Sequence, residues 1–130
     1  VYHEMSLSVG QSDSVIQILY TICDSGGESC LLHDICNLTG LPKQTINSAI
    51  RKLEQEHILY LESTGSRNKR VILTEKGKQL AAKTAGKVIA AENRIFEEWG
   101  SEEAEKFLAL NERYLKCLRA ELKRLKEETM

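Results

Sequence analysis

Residues Leu41 to Glu54 read LPKQTINSAIRKLE, and this stretch decides the fold. Gly40 suits a left-handed helix end, and Pro42 suits the first turn of a new helix. The apolar positions that follow form a one-sided helical stripe at Ile46, Ala49, Ile50 and Leu53. The opposite face is polar and basic, with Lys43, Gln44, Thr45, Asn47, Ser48, Arg51 and Lys52. The pattern predicts an amphipathic helix from about Pro42 to Glu56.

The segments around this helix complete a winged helix-turn-helix. Before it, the pattern predicts helices over 13–23 and 31–38, the second one joined to the Pro42 helix by a tight turn. After it, short apolar runs at 58–61 and 71–73 have strand character. The polar stretch 63–70 between them carries three cations, which predicts a hairpin with a basic tip: Arg67, Lys69 and Arg70.

The rest of the chain predicts helices. One is expected from Thr74 to about Trp99, and another from Ser101 toward Met130. The last helix carries leucines at spacings close to a heptad: Leu108, Leu115, Leu118, Leu122 and Leu125. A second apolar stripe lies beside them: Phe107, Leu110, Tyr114 and Cys117. The last helix thus has more apolar surface than it needs to pack one face within a single chain, which indicates a dimer interface.

Charge is distributed unevenly along the 130 residues, although the net charge is only −1. Residues 1–41 carry five acids and no Lys or Arg, and residues 42–78 carry eight bases and four acids. Positive charge concentrated on one segment is typical of a nucleic-acid-binding surface. A chance fluctuation of surface charge would give the same profile, so charge alone does not decide the function.

The order of elements favours DNA as the partner. A helix with amides, hydroxyls and an arginine on its exposed face can enter the major groove and reach base edges. The basic hairpin would contact phosphate or the minor groove. Two other readings stay open: a winged-helix module that binds protein without binding DNA, and an enzyme subunit. Retention on duplex DNA that falls steeply with salt would distinguish a regulator from a protein-binding module.

The chain resembles a known family in three stretches. These are LPKQTINSAIRKLE at 41–54, ILY at 58–60 and KRVILTEKG at 69–77. Together they are similar to the MarR family of multiple antibiotic resistance regulators, and LTEKG after a basic wing is the most specific part. The resemblance extends over nearly the whole chain and implies a fold that is mainly α with a small β-hairpin wing (α+β).

The resemblance also implies an organisation and partners. A single domain, 1–130, would contain a winged helix-turn-helix DNA-binding lobe at 13–73 and a helical dimerisation region at 1–12 and 74–130. The chain would be a homodimeric transcription regulator, expected to be a repressor, that binds double-stranded DNA at a pseudo-palindromic operator. A small-molecule effector could lodge near Tyr2, His3 and Tyr20. Arg70 occupies the position of the arginine in the family's wing motif. The aspartate of that motif, which would orient the arginine, is missing here.

Other chemistry finds little support in the sequence. No catalytic constellation, phosphate loop or Cys-x-x-Cys pair appears, and the three histidines lack metal-ligand spacing, so no enzyme activity, cofactor or metal is expected. Of the four cysteines, Cys30 flanks a turn and is the best candidate for a redox sensor, which leaves a cysteine-based redox-sensing regulator as an alternative. Without a long apolar stretch or a secretory signal, a cytoplasmic chain away from the membrane is expected.

Overall fold

The computed structural model describes residues 1–65 and 67–129. Within these residues the elements run in this order: α1 (Tyr2–Ser8), α2 (Asp13–Asp24), β1 (Ser29–Leu31), α3 (Leu32–Thr39), α4 (Lys43–Gln55), β2 (Leu59–Ser63), β3 (Lys69–Leu73), α5 (Glu75–Lys83), α6 (Ala85–Trp99) and α7 (Ser101–Glu128). The predicted fold class, mainly helical with a small β-hairpin wing, is confirmed.

The helix-turn-helix forms where the sequence places it. Gly40 ends α3 in a left-handed conformation with φ 68°, which glycine adopts without a Cβ clash. Pro42 precedes α4, and Ile46, Ala49, Ile50 and Leu53 are all buried on one side of that helix. Helical spacing places Leu38 on the apolar side of α3 with Ile35, but its side chain is 71% exposed in the structure.

The sheet contains one strand more than the sequence predicts. Strand β1 pairs antiparallel with β3, and β3 pairs antiparallel with β2, giving the order β1-β3-β2. The wing hairpin therefore has a third strand along one edge, supplied from before the helix-turn-helix. β1 has only three residues, too few for an alternating pattern to reveal it.

The prediction of a single helix from Thr74 to Trp99 is wrong. The helix is interrupted at Thr84, which separates α5 from α6. Thr84 has φ −122° and ψ −90°, and its backbone N–H donates to the carbonyl of Ala81. The Thr84 hydroxyl donates instead to the carbonyl of Leu80 at 2.7 Å. At the break, the carbonyl of Leu80 loses its backbone hydrogen bond, and the hydroxyl of the buried Thr84 replaces it.

The hydrophobic core lies within residues 1–90, which form one of two compact units. Helices α2 and α4, the sheet and α5 all contribute to it. The fully buried large side chains are Ile18, Leu19, Ile22, Ile35, Ile46, Leu53, Leu59 and Val71. Ala81 and Ala85 belong to the same cluster, so the start of the helical region after the wing packs into this core.

A short turn, Thr74 to Gly77, fastens this core to the end of α4. The Thr74 hydroxyl caps α5 by accepting from the N–H of Gly77 at 3.0 Å and donates to the carbonyl of His57 at 2.6 Å. The Thr74 backbone N–H donates to the carbonyl of Ile58 at 3.0 Å. His57 itself has φ 61°, the left-handed conformation that ends α4. We call this set of contacts the α4–α5 clamp.

The second unit, residues 91–130, contains the end of α6 and all of α7. Three aromatic rings pack around the α6–α7 turn: Phe107 lies 5.9 Å from Phe96 and 5.4 Å from Trp99, measured between ring centroids. Although α7 has 28 residues, none of its described residues is buried in the single chain. Among the described residues, no helix is both long and apolar enough to cross a membrane.

We predict that Gly77→Ala strongly destabilises the fold. A Cβ at residue 77 would overlap the backbone carbonyl oxygen of Ile58, and a backbone atom cannot rotate out of the way. We expect a loss of about 3 kcal/mol in the free energy of unfolding, although alanine favours a helix. Urea denaturation measures it. The matched control, Gln79→Ala at an exposed position of α5, should change stability by less than about 0.5 kcal/mol. Equal stability of the two variants would contradict the close approach.

Candidate nucleic-acid interface

The outer face of α4 presents a row of polar side chains to solvent. Asn47 is half-buried and the others are exposed: Lys43, Gln44, Thr45, Ser48, Arg51 and Lys52. No hydrogen bond or ion pair joins these side chains to other described residues. Their donors and acceptors are therefore available to an external partner, and amide and guanidinium groups are those that read base edges in the major groove.

The orientation of this face is fixed from the opposite side. The buried stripe of α4 packs into the lobe's core, and the clamp holds the end of the helix. Lys76 adds a further contact, because its Nζ donates to the carbonyl of Glu56 just beyond α4 at 3.0 Å. A cation at the carboxyl end of a helix also interacts favourably with the helix dipole. The exposed row of α4 is thus carried by a rigid element.

The basic segment 42–78 divides into cations that serve the fold and cations that face solvent. Lys78 lies 3.3 Å from Glu28 and 3.5 Å from Glu75, and its hydrogen bond with Glu28 raises the pKa of its ammonium group. Lys76 donates to a neutral carbonyl just beyond α4 and keeps its charge, whereas the charge of Lys78 is offset by its two carboxylate neighbours. The cations of α4 and the wing make no ion pair with any described residue: Lys43, Arg51, Lys52, Arg67, Lys69 and Arg70.

The wing holds its predicted basic residues in two different states. Arg67 and Lys69 are exposed near the tip, where the Thr64 hydroxyl donates to the carbonyl of Asn68 at 2.6 Å. Ser66, also part of the predicted tip, lies outside the described residues. Arg70 is half-buried, and its Nη1 donates to the hydroxyl of Ser29 on β1 at 3.1 Å. Ser29 therefore binds Arg70 in this chain, where the wing lacks the aspartate that would orient the arginine.

A shallow depression adjoins the exposed row of α4. Ser12, Ser14 and Val15 at the start of α2 form one side, and the other side is Gln44, Thr45, Ser48, Ala49 and Lys52. The Ser12 hydroxyl caps α2 by accepting from the N–H of Val15 at 3.3 Å. The proximity of α2 to the polar face of α4 is a tertiary feature that no local pattern signals.

The residues expected around an effector lie on α1 and α2. Tyr2 is exposed, Tyr20 packs partly against the core, and His3 Nδ1 lies 2.7 Å from the Asp13 carboxylate. That hydrogen bond holds the pKa of Asp13 below its usual value. Nothing in these contacts identifies a ligand, and the effector site stays a prediction.

The cysteines differ in accessibility. Cys30 is 4% exposed within β1, and its sulfur accepts a hydrogen bond from the Ser25 hydroxyl at 3.5 Å. Cys23 is half-buried, and burial raises the pKa of its thiol. Cys117, expected on a buried helix face, is exposed in the single chain because α7 buries none of its described residues there. No cluster of three His, Cys, Asp or Glu side chains that could hold a metal occurs in the described part of the chain.

The fold and this interface can now be compared with known proteins. Residues 10–67 match the model of the MarR family. The chain carries the winged helix of that family. The matched region runs from just before α2 into the wing, so it contains the whole exposed row of α4. The resemblance inferred from the sequence is confirmed.

Several solved structures share the fold at low sequence identity, among them a MarR-family regulator. A regulator from Neisseria meningitidis is 19% identical with a TM-score of 0.81, and the match covers 95% of this chain and 87% of that one. MepR from S. aureus, solved with DNA, is 18% identical with a TM-score of 0.65 over 89% and 85%. NadR, solved with 4-hydroxyphenylacetate, is 18% identical with a TM-score of 0.69 over 89% and 80%. A search of curated protein sequences gave no significant match.

We predict that Cys30 is protected from alkylation. Because the thiol is buried in the sheet, iodoacetamide should modify it only when the lobe opens, so the native rate should fall at least about tenfold below the rate in urea. Timed labelling followed by peptide mass spectrometry measures both rates.

We also expect modest peroxide to leave DNA binding unchanged. A reversible loss of binding that disappears in Cys30→Ser would contradict this.

Proposed function

We propose that this MarR-family chain is a homodimeric, sequence-specific DNA-binding transcription regulator that represses from a pseudo-palindromic operator. The observation that carries the proposal is the set of unengaged cations and polar groups on α4 and the wing. In the same segment, Lys76 and Lys78 are engaged in contacts within the lobe. Solvated cations on the two elements that can reach a duplex can replace the counterions condensed on DNA phosphates, and release of those counterions favours binding.

The two elements have different tasks in this proposal. Helix α4 enters the major groove. There the Arg51 guanidinium can donate two hydrogen bonds to guanine, and the Gln44 and Asn47 amides can each donate one and accept one at adenine, while Lys43, Lys52 and the Thr45 and Ser48 hydroxyls contact phosphate or bases. The wing cations contact phosphate or the neighbouring minor groove. Sequence specificity thus comes from α4, and the wing adds affinity that depends little on sequence. The solved DNA complex of MepR supports DNA as the partner of a chain with this fold.

Dimer formation is proposed from the surface of α7. Leu108, Leu115, Leu118, Leu122 and Leu125 are each between 45% and 58% exposed in the single chain. A row of five half-exposed leucines on one helix is typical of an interface and costly in water. A second copy of the chain is the proposed occupant, since two-fold symmetry would give two α4 helices to match an inverted repeat.

Release by a small-molecule effector is an additional part of the proposal. NadR, which has the same fold, was solved with 4-hydroxyphenylacetate, and this supports a ligand-responsive regulator. Tyr2, His3 and Tyr20 are the proposed lining residues. The alternative, a winged helix that binds only protein, predicts no retention on duplex DNA.

Substitutions on α4 and the wing should separate base reading from phosphate contact. The probes are duplexes enriched by the unaltered protein from a random library, compared with random duplexes. Asn47→Ala and Arg51→Ala should each weaken binding to the enriched duplex by about 1–3 kcal/mol and lower the ratio of specific to random affinity. Lys69→Ala should weaken both affinities alike and reduce the salt dependence.

Fluorescence anisotropy at several salt concentrations provides these affinities. Lys83→Ala, which removes the same charge from the exposed end of α5, serves as the control and should change neither affinity appreciably. An unchanged affinity ratio in both α4 variants would show that other residues read the bases.

Charges introduced into the leucine row should separate the two protomers. We expect Leu118→Glu with Leu122→Glu to give a monomer in sedimentation and to abolish operator binding, because apolar contacts are replaced by buried like charges. Ala109→Glu with Ala120→Glu adds the same charge at exposed positions on the opposite side of α7 and should leave the dimer intact. A folded monomer with full operator affinity would refute the dimer model.

A further inference from the structure

The contact between Arg70 and Ser29 follows from the register of the sheet. Ser29 lies opposite Ile72, whereas Arg70 lies opposite Leu31. Residues 70 and 72 are on the same face of β3, so Ser29 and Arg70 are diagonal neighbours on that face. A long guanidinium side chain can reach across such a diagonal, and here Nη1 lies 3.1 Å from the Ser29 hydroxyl oxygen.

This bond directs Arg70 away from the tip of the wing. β3 runs from Lys69, beside the tip, to Leu73 at the base. The row of Ile72 and Ser29 is two residues farther from the tip than Arg70, about 7 Å along the strand. The guanidinium therefore points toward the base, while Arg67 and Lys69 are exposed at the tip end.

We propose that Ser29 is a positioning residue that holds the Arg70 guanidinium back from the wing tip, and that DNA competes with it for that group. The inference rests on the proposed DNA-binding function. Ser29 supplies a neutral acceptor and engages one of five guanidinium donors. A DNA phosphate supplies a charged acceptor, which forms the stronger hydrogen bond. Ser29 thus lowers the fraction of chains whose Arg70 is free to bind, without preventing the exchange.

Glu62 provides a comparison within the same sheet. It lies directly opposite Arg70 on β2, yet no ion pair between them occurs among the described residues. A carboxylate would hold the guanidinium more firmly than a hydroxyl does. The arginine is therefore bound by the weaker of its two neighbouring acceptors, which suits a contact that must be exchanged for DNA.

The experiment measures the affinity of Ser29→Ala for the enriched duplex in a Glu62→Gln background, so that Glu62 cannot take over the released arginine. The hydrogen bond from the half-buried Arg70 guanidinium to Ser29 should reduce the fraction of chains with an unbound Arg70 about fivefold. We therefore expect the affinity of Ser29→Ala for the duplex to rise about fivefold. Ser29→Thr keeps the hydroxyl in a strand-compatible residue and should retain the affinity of its parent. Thermal unfolding checks that all variants fold alike.

Two further readouts distinguish positioning from a general structural effect. Because Arg70 reaches the same phosphate in both complexes, the slope of log affinity against log salt should be the same in Ser29→Ala as in its parent, and it should become shallower by about 0.9 in Arg70→Ala. In an Arg70→Ala background, Ser29→Ala should change neither the affinity nor the slope.

An unchanged or weaker affinity in Ser29→Ala, or an equal gain without Arg70, would overturn the role of Ser29. Failure of the unaltered protein to bind any duplex would overturn the proposed function together with it. Binding by the unaltered protein with no Ser29 effect would overturn only the inference.

Discussion

The close approach of Gly77 to the carbonyl of Ile58 is the constraint on which the lobe depends. The same two backbone segments form the clamp, in which Thr74 binds His57 and Ile58, and Lys76 adds a contact with Glu56 beside it. Since α4 ends at one of these segments and β3 ends at the other, the helix and the base of the wing meet there. This explains in physical terms why a threonine and a glycine occur three residues apart after the wing. The threonine caps the helix, and the glycine leaves room for the carbonyl.

A rigid junction of this kind matters because the proposed partner is also rigid. Groups that bind bases must reach them within a few tenths of an ångström, and a helix fixed along its buried face and at its end keeps its exposed side chains in place. The charge distribution complements this arrangement. The charge of Lys78 is offset by Glu28 and Glu75, so most of the unpaired positive charge of this segment lies on α4 and the wing, although the chain as a whole is slightly acidic.

Much of this could be predicted from the sequence because it depends on local pattern. The stripe Ile46, Ala49, Ile50 and Leu53 determines both the buried face of α4 and the face that remains for DNA. Strand β1 was missed because three residues carry no periodicity, and its pairing with β3 is a long-range contact. The break at Thr84 was missed because a threonine inside a helical pattern gives no stop signal. Ser29 could not be predicted as the partner of Arg70, since 41 residues separate them.

Hydroxyl-radical footprinting on an enriched duplex tests the central claim most directly, because it reports where α4 and the wing touch the DNA backbone. The account predicts two equivalent protected regions related by two-fold symmetry. Their centres should be separated by about one helical turn, 10–10.5 base pairs, or a multiple of it. Weaker protection in the flanking minor grooves should be lost when Arg67 and Lys69 are both replaced by alanine. A single asymmetric footprint, or full flanking protection without those two cations, would contradict the account.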